Sequence, residues 1–214
     1  MIGKLIVLEG TDAVGKQTQS ELLAKKLKAK GMKIEVINFP TYGSAFGKLI
    51  GNYLHGKFGS KEKLPPEAIA ALYSLDRYQY KDELFSKLEN GTTLICNRYS
   101  QSNLYQAAKI NDEKEREKFI KWFFDLDSRL PIASAVVFLN LDLSVSNKLL
   151  KKRGGKIDLH EKDRKYQDKV RRLYLNEAKK NNWLVIDCTK GNSLRSPEDI
   201  SHEIFGKLSA KLGI

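Results

Sequence analysis

Cysteine is scarce in this chain: 2 of its 214 residues, Cys96 and Cys188, each at the end of an apolar run. Neither belongs to a metal-ligand spacing, so a disulfide scaffold is ruled out and both read as reduced core thiols of a cytoplasmic protein. Long hydrophobic runs are also missing. No stretch approaches the roughly 20 apolar residues that span a bilayer, so no membrane partner is expected. The start of the chain shows no basic region followed by a signal-like apolar run, because Met1 to Leu8 already reads as a strand. Acidic residues fall short of basic ones, 26 against 38, leaving a net charge of +12. Such a surplus suits either nucleic acid or phosphate-rich small molecules. The lysines are dispersed, many on helical faces such as Lys25, Lys26, Lys28 and Lys30, and no nucleic-acid-binding signature accompanies them. Nucleic acid is therefore disfavoured as a partner.

What is present has the size and order of one α/β domain over residues 1–214. Five β-branched apolar runs read as buried parallel strands: Lys4 to Glu9, Lys33 to Phe39, Thr92 to Asn97, Ala135 to Leu141 and Trp183 to Asp187. Helical patterns alternate with them. Gly15 to Lys30 ends at Gly31, Pro66 to Leu88 reads as one long helix, and Gly91 returns the chain to the sheet. Asp112 to Leu126, Ser144 to Lys152, Arg164 to Lys180 and Pro197 to Leu212 follow, the last with Ser196 as its N-cap. This alternation predicts a five-stranded parallel sheet covered by helices on both faces. Ligands of such sheets bind beyond the carboxyl ends of the strands, here at Gly10, Phe39, Asn97, the segment after Leu141 and Asp187 onward.

At the first of these ends the spacing Gly10, four residues, Gly15 and Lys16 is that of a phosphate-cradling P-loop. In such a loop the backbone N–H groups of Gly10, Thr11, Asp12, Ala13, Val14 and Gly15 surround an anion. The helix N-terminus adds positive potential, and Lys16 reaches the outer phosphates. Its place between an apolar strand and an amphipathic helix is the context the motif requires. The pattern normally ends in a Ser or Thr that binds Mg²⁺; here Gln17 stands there, with Thr18 one place later. Residues 151–162 are basic and contain the pair Gly154-Gly155. By composition they are a solvated connection; beside a P-loop they read as a lid that folds a guanidinium over a nucleotide.

Four clusters join the P-loop. Phe39, Pro40, Thr41, Tyr42 and Gly43 leave the second strand, and Tyr73 and Arg77 share one face of a helix. Asn97, Arg98 and Tyr99 leave the third strand with Asn103 close behind, and Tyr166 opens the helix after the lid. With these residues in place, from Lys4 to about Asp187, the chain resembles the thymidylate kinases, P-loop enzymes that phosphorylate dTMP to dTDP. The resemblance implies ATP as donor, Mg²⁺ as metal, dTMP as acceptor and a homodimer. Lys16 and the loop amides would hold the ATP phosphates. Asp12 would reach the deoxyribose 3′-hydroxyl or a metal-bound water, with Asp12 and Gln17 as the metal side chains. Phe39 and Pro40, with Tyr42 on the same loop, would wall the thymine pocket, and Tyr73 would stack on the base. Arg77 would donate to a thymine carbonyl and Asn103 would bond another base edge. Arg98 would bind the acceptor phosphate, Tyr166 would pack on the sugar, and Arg153 would be a lid cation.

Two positions depart from the family pattern. Gln17 replaces the usual hydroxyl, and Asn97 replaces the usual aspartate, so the metal site carries less negative charge. Other readings are a kinase of another deoxynucleotide or a deoxynucleoside, and a catalytically silent nucleotide binder. A nucleic-acid-binding module rests on charge alone.

Overall fold

β1 (Leu5–Gly10) is buried along its whole length because it lies at the centre of a five-stranded parallel sheet ordered β2-β3-β1-β4-β5. The other strands are β2 (Ile34–Asn38), β3 (Thr93–Asn97), β4 (Ala135–Asn140) and β5 (Leu184–Asp187). A computed structural model describes residues 2–59, 64–142, 145, 163–191 and 193–214. The expected lid, with Arg153, and nearly all of the expected helix Ser144 to Lys152 lie outside the described residues.

Side chains alternate across the sheet as the strand period of two requires. Ile6 and Leu8 join one cluster with Leu23 and Leu27 of α1 (Lys16–Ala29) and with Ile204 and Leu208 of the C-terminal helix Pro197–Leu212. On the other face, Leu5 and Val7 pack with Leu84 and Leu88 of α4 (Lys81–Glu89). There too, Phe138 meets Phe119 and Phe123 of α6 (Glu113–Leu126) and Tyr174 of α7 (Arg164–Lys180). The Phe138 and Tyr174 rings stack 4.9 Å apart. Each such buried side chain stabilises the fold by roughly 1.5–3 kcal/mol, so the core on both faces fixes the sheet that carries the site. The C-terminal helix, α8, begins at its expected cap: Ser196 Oγ accepts the Asp199 N–H at 3.1 Å.

The single long helix expected over Pro66 to Leu88 is two. α3 (Pro66–Tyr78) stops, and α4 restarts at Lys81 after Tyr80 takes φ −105° and ψ 5°. The apolar period continues through the break, but tertiary bonds override it. Gln79 Nε2 donates to Asp76 Oδ1 and to Ser44 Oγ, each at 2.9 Å, while the Tyr80 ring meets Phe39. Three short elements were also unanticipated: α2 (Ala45–Leu54), a 3₁₀ turn at Ser100–Asn103, and α5 (Leu104–Ala107). A small antiparallel pair, β6 (Thr189–Lys190) and β7 (Ser193–Leu194), follows β5.

In register, Leu8 and Asn38 flank Asn97, Gly10 pairs with Leu139, and Asn140 pairs with Asp187. The P-loop, the Arg98 turn and the Phe39 loop therefore leave one edge of the sheet together. Chain order reverses around β1, which puts the P-loop at the switch point where α/β sheets bind ligands.

Candidate active site

The loop between β1 and α1 has little room for side chains at its start. A Cβ on Gly10 would lie 2.8 Å from Val14 Cγ1 and 2.9 Å from the Leu139 carbonyl oxygen. Ala13 at φ 58° and Gly15 at φ 88° turn the chain into α1. Lys16, buried, folds back over the loop and donates from Nζ to the carbonyls of Gly10 at 3.0 Å and Thr11 at 2.8 Å. Its ammonium is thus held inside the concavity where a phosphate would sit.

Asp12 faces Arg98 across this loop. One oxygen accepts from Arg98 Nη2. The other accepts from Tyr105 Oη at 3.1 Å and from Gln167 Nε2 at 3.2 Å. Burial pushes the Asp12 carboxyl up, but Arg98, Lys16 and these hydrogen bonds outweigh it and hold its pKa below the ordinary value. The Arg98 guanidinium carbon also lies 5.2 Å from the Tyr105 ring centroid. Tyr166 sits beside them: its hydroxyl donates to the Tyr105 carbonyl, and the two rings are 6.3 Å apart. Asp163 sets this geometry by capping α7, accepting the Tyr166 N–H at 3.1 Å.

The residues expected on the base side differ in burial and partners. Phe39, expected to wall a pocket, is buried in the core against Tyr80 at 6.2 Å and Tyr99 at 5.9 Å. It supports the loop from behind, because a large apolar ring at a strand end gains most from packing on the sheet. Pro40 follows it through a cis peptide and is half-buried. Tyr42 is exposed, with its ring beside Gly51 of α2. Asp76 holds this loop in shape, accepting from Thr41 N at 2.9 Å, Thr41 Oγ1 at 2.6 Å and Ser44 Oγ at 3.0 Å. Tyr73 is half-buried, one turn before Arg77. Arg77 is 1% exposed and paired, not with the adjacent Asp76, but with Asp127: Nε at 2.9 Å and Nη2 at 2.5 Å from Oδ2. Among the described residues its Nη1 makes a long 3.5 Å approach to the Tyr99 carbonyl. Asn103 is 1% exposed, and neither of its amide atoms has a hydrogen-bond partner among the described residues. A buried amide with both ends unmet is the feature a bound base edge would satisfy.

At the metal edge, Asn97 Nδ2 donates to Asn38 Oδ1 at 3.0 Å and to Gln17 Oε1 at 3.4 Å, and Gln17 Nε2 donates to Glu21 Oε1 at 2.6 Å. Asn97 Oδ1 is buried without a partner among the described residues. Among the described residues no group of three or more His, Cys, Asp or Glu side chains is arranged to hold a metal. Amide oxygens are hard donors, and Mg²⁺ takes most of its remaining ligands from phosphates and water. The residues therefore fit Mg²⁺ as a phosphate-held ion with little protein charge.

The structure thus holds a P-loop, an acid–arginine pair beside it and, in the turn that follows Arg98, a buried amide with neither end paired among the described residues. The family model for thymidylate kinase matches residues 8–198. The chain belongs to the thymidylate kinase family. A probable thymidylate kinase of Pyrococcus horikoshii is 33% identical, with 99% of this chain and 98% of that protein covered. The human thymidylate kinase is 31% identical over 88% of this chain and 84% of its own length. Among solved structures, a thymidylate kinase from Candida albicans superposes with a TM-score of 0.77 at 25% identity, covering 98% of this chain and 92% of that one. Thymidylate kinase motifs account for Lys16, Arg98 and Asp12 in the sequence; Tyr105, Gln167, Asp76 and Asp127 carry no such signal, since each bonds a residue between 32 and 155 positions away.

Proposed function

We propose that this member of the thymidylate kinase family transfers the γ-phosphoryl group of ATP to dTMP, giving dTDP and ADP. The observation that carries the reading is the Asp12–Arg98 pair set across the P-loop from Lys16. A phosphate oxygen of dTMP attacks the γ-phosphorus while the bond to the β–γ bridging oxygen breaks. The protein's part is alignment and charge neutralisation. Lys16, the amides of residues 10–16 and the first turn with Gln17 and Thr18 cradle the ATP phosphates. Arg98 turns its planar fork to the acceptor phosphate, for which Asp12 holds it in place. Arg77 Nη1 and Asn103 take the thymine edge, Tyr73 and Pro40 flank the base, and Tyr166 lies against the deoxyribose. Arg153 belongs to the same reading as a lid cation, and Tyr42 contributes to the outer rim of the base loop. Asp12, Gln17 and Asn97 Oδ1 are the side chains that would hold Mg²⁺, which would supply positive charge to offset that of the phosphates. The family likeness further supports a homodimer in the cytoplasm. Among the described residues no helix is long and apolar enough to cross a membrane.

The test is ADP release measured with dTMP, dCMP, dGMP and AMP, with and without Mg²⁺, on the wild type and Lys16→Ala. Turnover with dTMP well above the others, abolished by Lys16→Ala, is the expected outcome. The neutral amides at Gln17 and Asn97 favour one rival, a silent binder; ATP binding without transfer to any monophosphate would establish it instead.

A further inference from the structure

β1 carries one charged side chain in its buried interior, Glu9, and it is fully shielded from solvent. A carboxylate at that depth costs several kcal/mol unless donors surround it. They do. Oε1 accepts from the Tyr99 N–H at 2.9 Å and from Ser102 Oγ at 3.0 Å; Oε2 lies 2.9 Å from the same hydroxyl and 2.8 Å from the Tyr174 hydroxyl that donates to it. These donors come from the turn after β3 and from α7, so Glu9 joins the P-loop strand to both.

The residue between those contacts is Arg98. Its backbone is left-handed, φ 69°, a conformation that costs a residue with a Cβ about 1–2 kcal/mol and persists only where the surroundings impose it. The surroundings here are the two strands. Arg98 N–H donates to the Leu8 carbonyl at 3.0 Å, and the next N–H, of Tyr99, donates to Glu9. Both hydrogen bonds reach adjacent residues of β1, and together they clamp the Arg98 Cα. Ser102, held by Glu9, also lies 3.5 Å from Arg98 Nη1.

We propose that Glu9 is a positioning residue for phosphoryl transfer, holding Arg98 in its left-handed turn so that the guanidinium faces Asp12 and the P-loop. The inference rests on the reading of Arg98 as the acceptor-phosphate ligand. It assigns Glu9 no contact with substrate. The carboxylate is chosen over an amide because all its partners are donors, and an ionised acid is acceptor-only on both oxygens.

The experiment is a double-mutant cycle with Glu9→Gln, Arg98→Ala and both together, reading kcat and KM for dTMP and for ATP, with thermal unfolding of each variant. Glu9→Gln keeps shape but turns one acceptor into a donor. The expected result is a loss of tenfold or more in kcat/KM for dTMP, with KM for ATP within twofold of wild type. In the Arg98→Ala background the same change should cost no more than twofold, because its target is gone. Losses that multiply in the double variant, or a Glu9→Gln enzyme as active as wild type, overturn the proposal. Arg98→Ala without effect removes the reading of Arg98 and the role of Glu9 with it; a damaging Arg98→Ala beside a silent Glu9→Gln removes only the latter. If Glu9→Gln does not fold, Ser102→Ala replaces it in the cycle. A three- to tenfold loss for dTMP that vanishes on Arg98→Ala supports the clamp, and a loss that persists there overturns it.

Discussion

Removing the carboxylate of Asp127 tests how the base side of the site is built. Arg77 and Asp127 are 1% and 3% exposed in their side chains, and both contacts of the guanidinium fall on a single oxygen, Oδ2, while Oδ1 has no partner among the described residues. Among the described residues, Asp127→Ala leaves a buried guanidinium with only Ser74 Oγ at 3.2 Å and the distant Tyr99 carbonyl. Breaking a buried pair from one side costs about 3–5 kcal/mol, a large share of a typical total of about 5–15 kcal/mol. With a urea m-value near ~3 kcal/mol/M for a chain of this size, the unfolding midpoint should fall by roughly 1–1.7 M. The double replacement Arg77→Met with Asp127→Leu should recover most of that loss, since a packed apolar pair leaves no unpaired charge. Under saturating ATP, Asp127→Ala should also raise KM for dTMP about tenfold, the equivalent of one mis-aimed charge-assisted hydrogen bond, and leave KM for ATP unchanged. A midpoint shift below ~0.3 M at constant m would refute the reasoning. It would show that water reaches Arg77 and that Asp127 does not fix its direction.

Three further outcomes follow from other parts of the structure. Asn97→Asp and Gln17→Ser should each lower the Mg²⁺ concentration for half-maximal turnover, because a carboxylate or hydroxyl replaces a neutral amide beside the phosphates; a magnesium titration that does not move, or moves upward, removes these positions from the metal site. Asp12 has a folded pKa below its unfolded value of about 3.9, so its stabilising contribution is present above that unfolded value and is lost as pH falls through the folded one. The stability gap between wild type and Asp12→Asn, measured by denaturant titration, should therefore be constant near neutrality and close below about pH 4; a gap unchanged down to pH 2 contradicts the pairing. Burial pushes the Cys188 thiol up to about 12 and the Cys96 thiol higher still, so neither should react with a disulfide reagent at pH 8 in the native protein, and both should react in urea; stoichiometric labelling of folded protein would count against both assignments.

Local patterns made much of the fold legible. The strands are short β-branched runs, α7 spans Arg164–Lys180 as its periodicity predicts, and Ser196 caps α8 in the expected way. The P-loop is legible for the same reason: Lys16 bonds the carbonyls of Gly10 and Thr11 in the same loop. What escaped is what depends on distant partners. The end of α3 is set by Asp76 and Gln79 bonding Ser44, more than 30 residues earlier. The α2 helix is only ten residues and contains Gly47 and Gly51, so its composition argues against it. Yet Gly47 is there because α2 packs directly on the Thr41 backbone: an added Cβ would lie 1.9 Å from the Thr41 oxygen. Phe39 illustrates a subtler limit. An aromatic at a strand end can face ligand or core, and only the positions of Tyr80 and Tyr99 decide between them.

The same contrast explains how a chain with a net charge of +12 builds a site that is not simply cationic. Each site cation in the described structure is met by an acceptor: Lys16 by loop carbonyls, Arg98 by Asp12, and Arg77 by Asp127. Behind them, Glu9 and Asp76 fix the turns from which Arg98 and the Phe39 loop depart. The surplus charge steers phosphates toward the protein over distances of about a Debye length, and it does so from dispersed lysines that carry no geometry. On the roles proposed above for Arg98 and Arg77, selection among phosphates would occur by exchange: an incoming dianion would compete with Asp12 for Arg98, and a base edge would approach Arg77 through Nη1, the donor that Asp127 does not occupy. A nucleotide that satisfies one exchange but not the other leaves a buried charge or the Asn103 amide unmet, a deficit that penalises a mismatched acceptor more steeply than loss of apolar contact would.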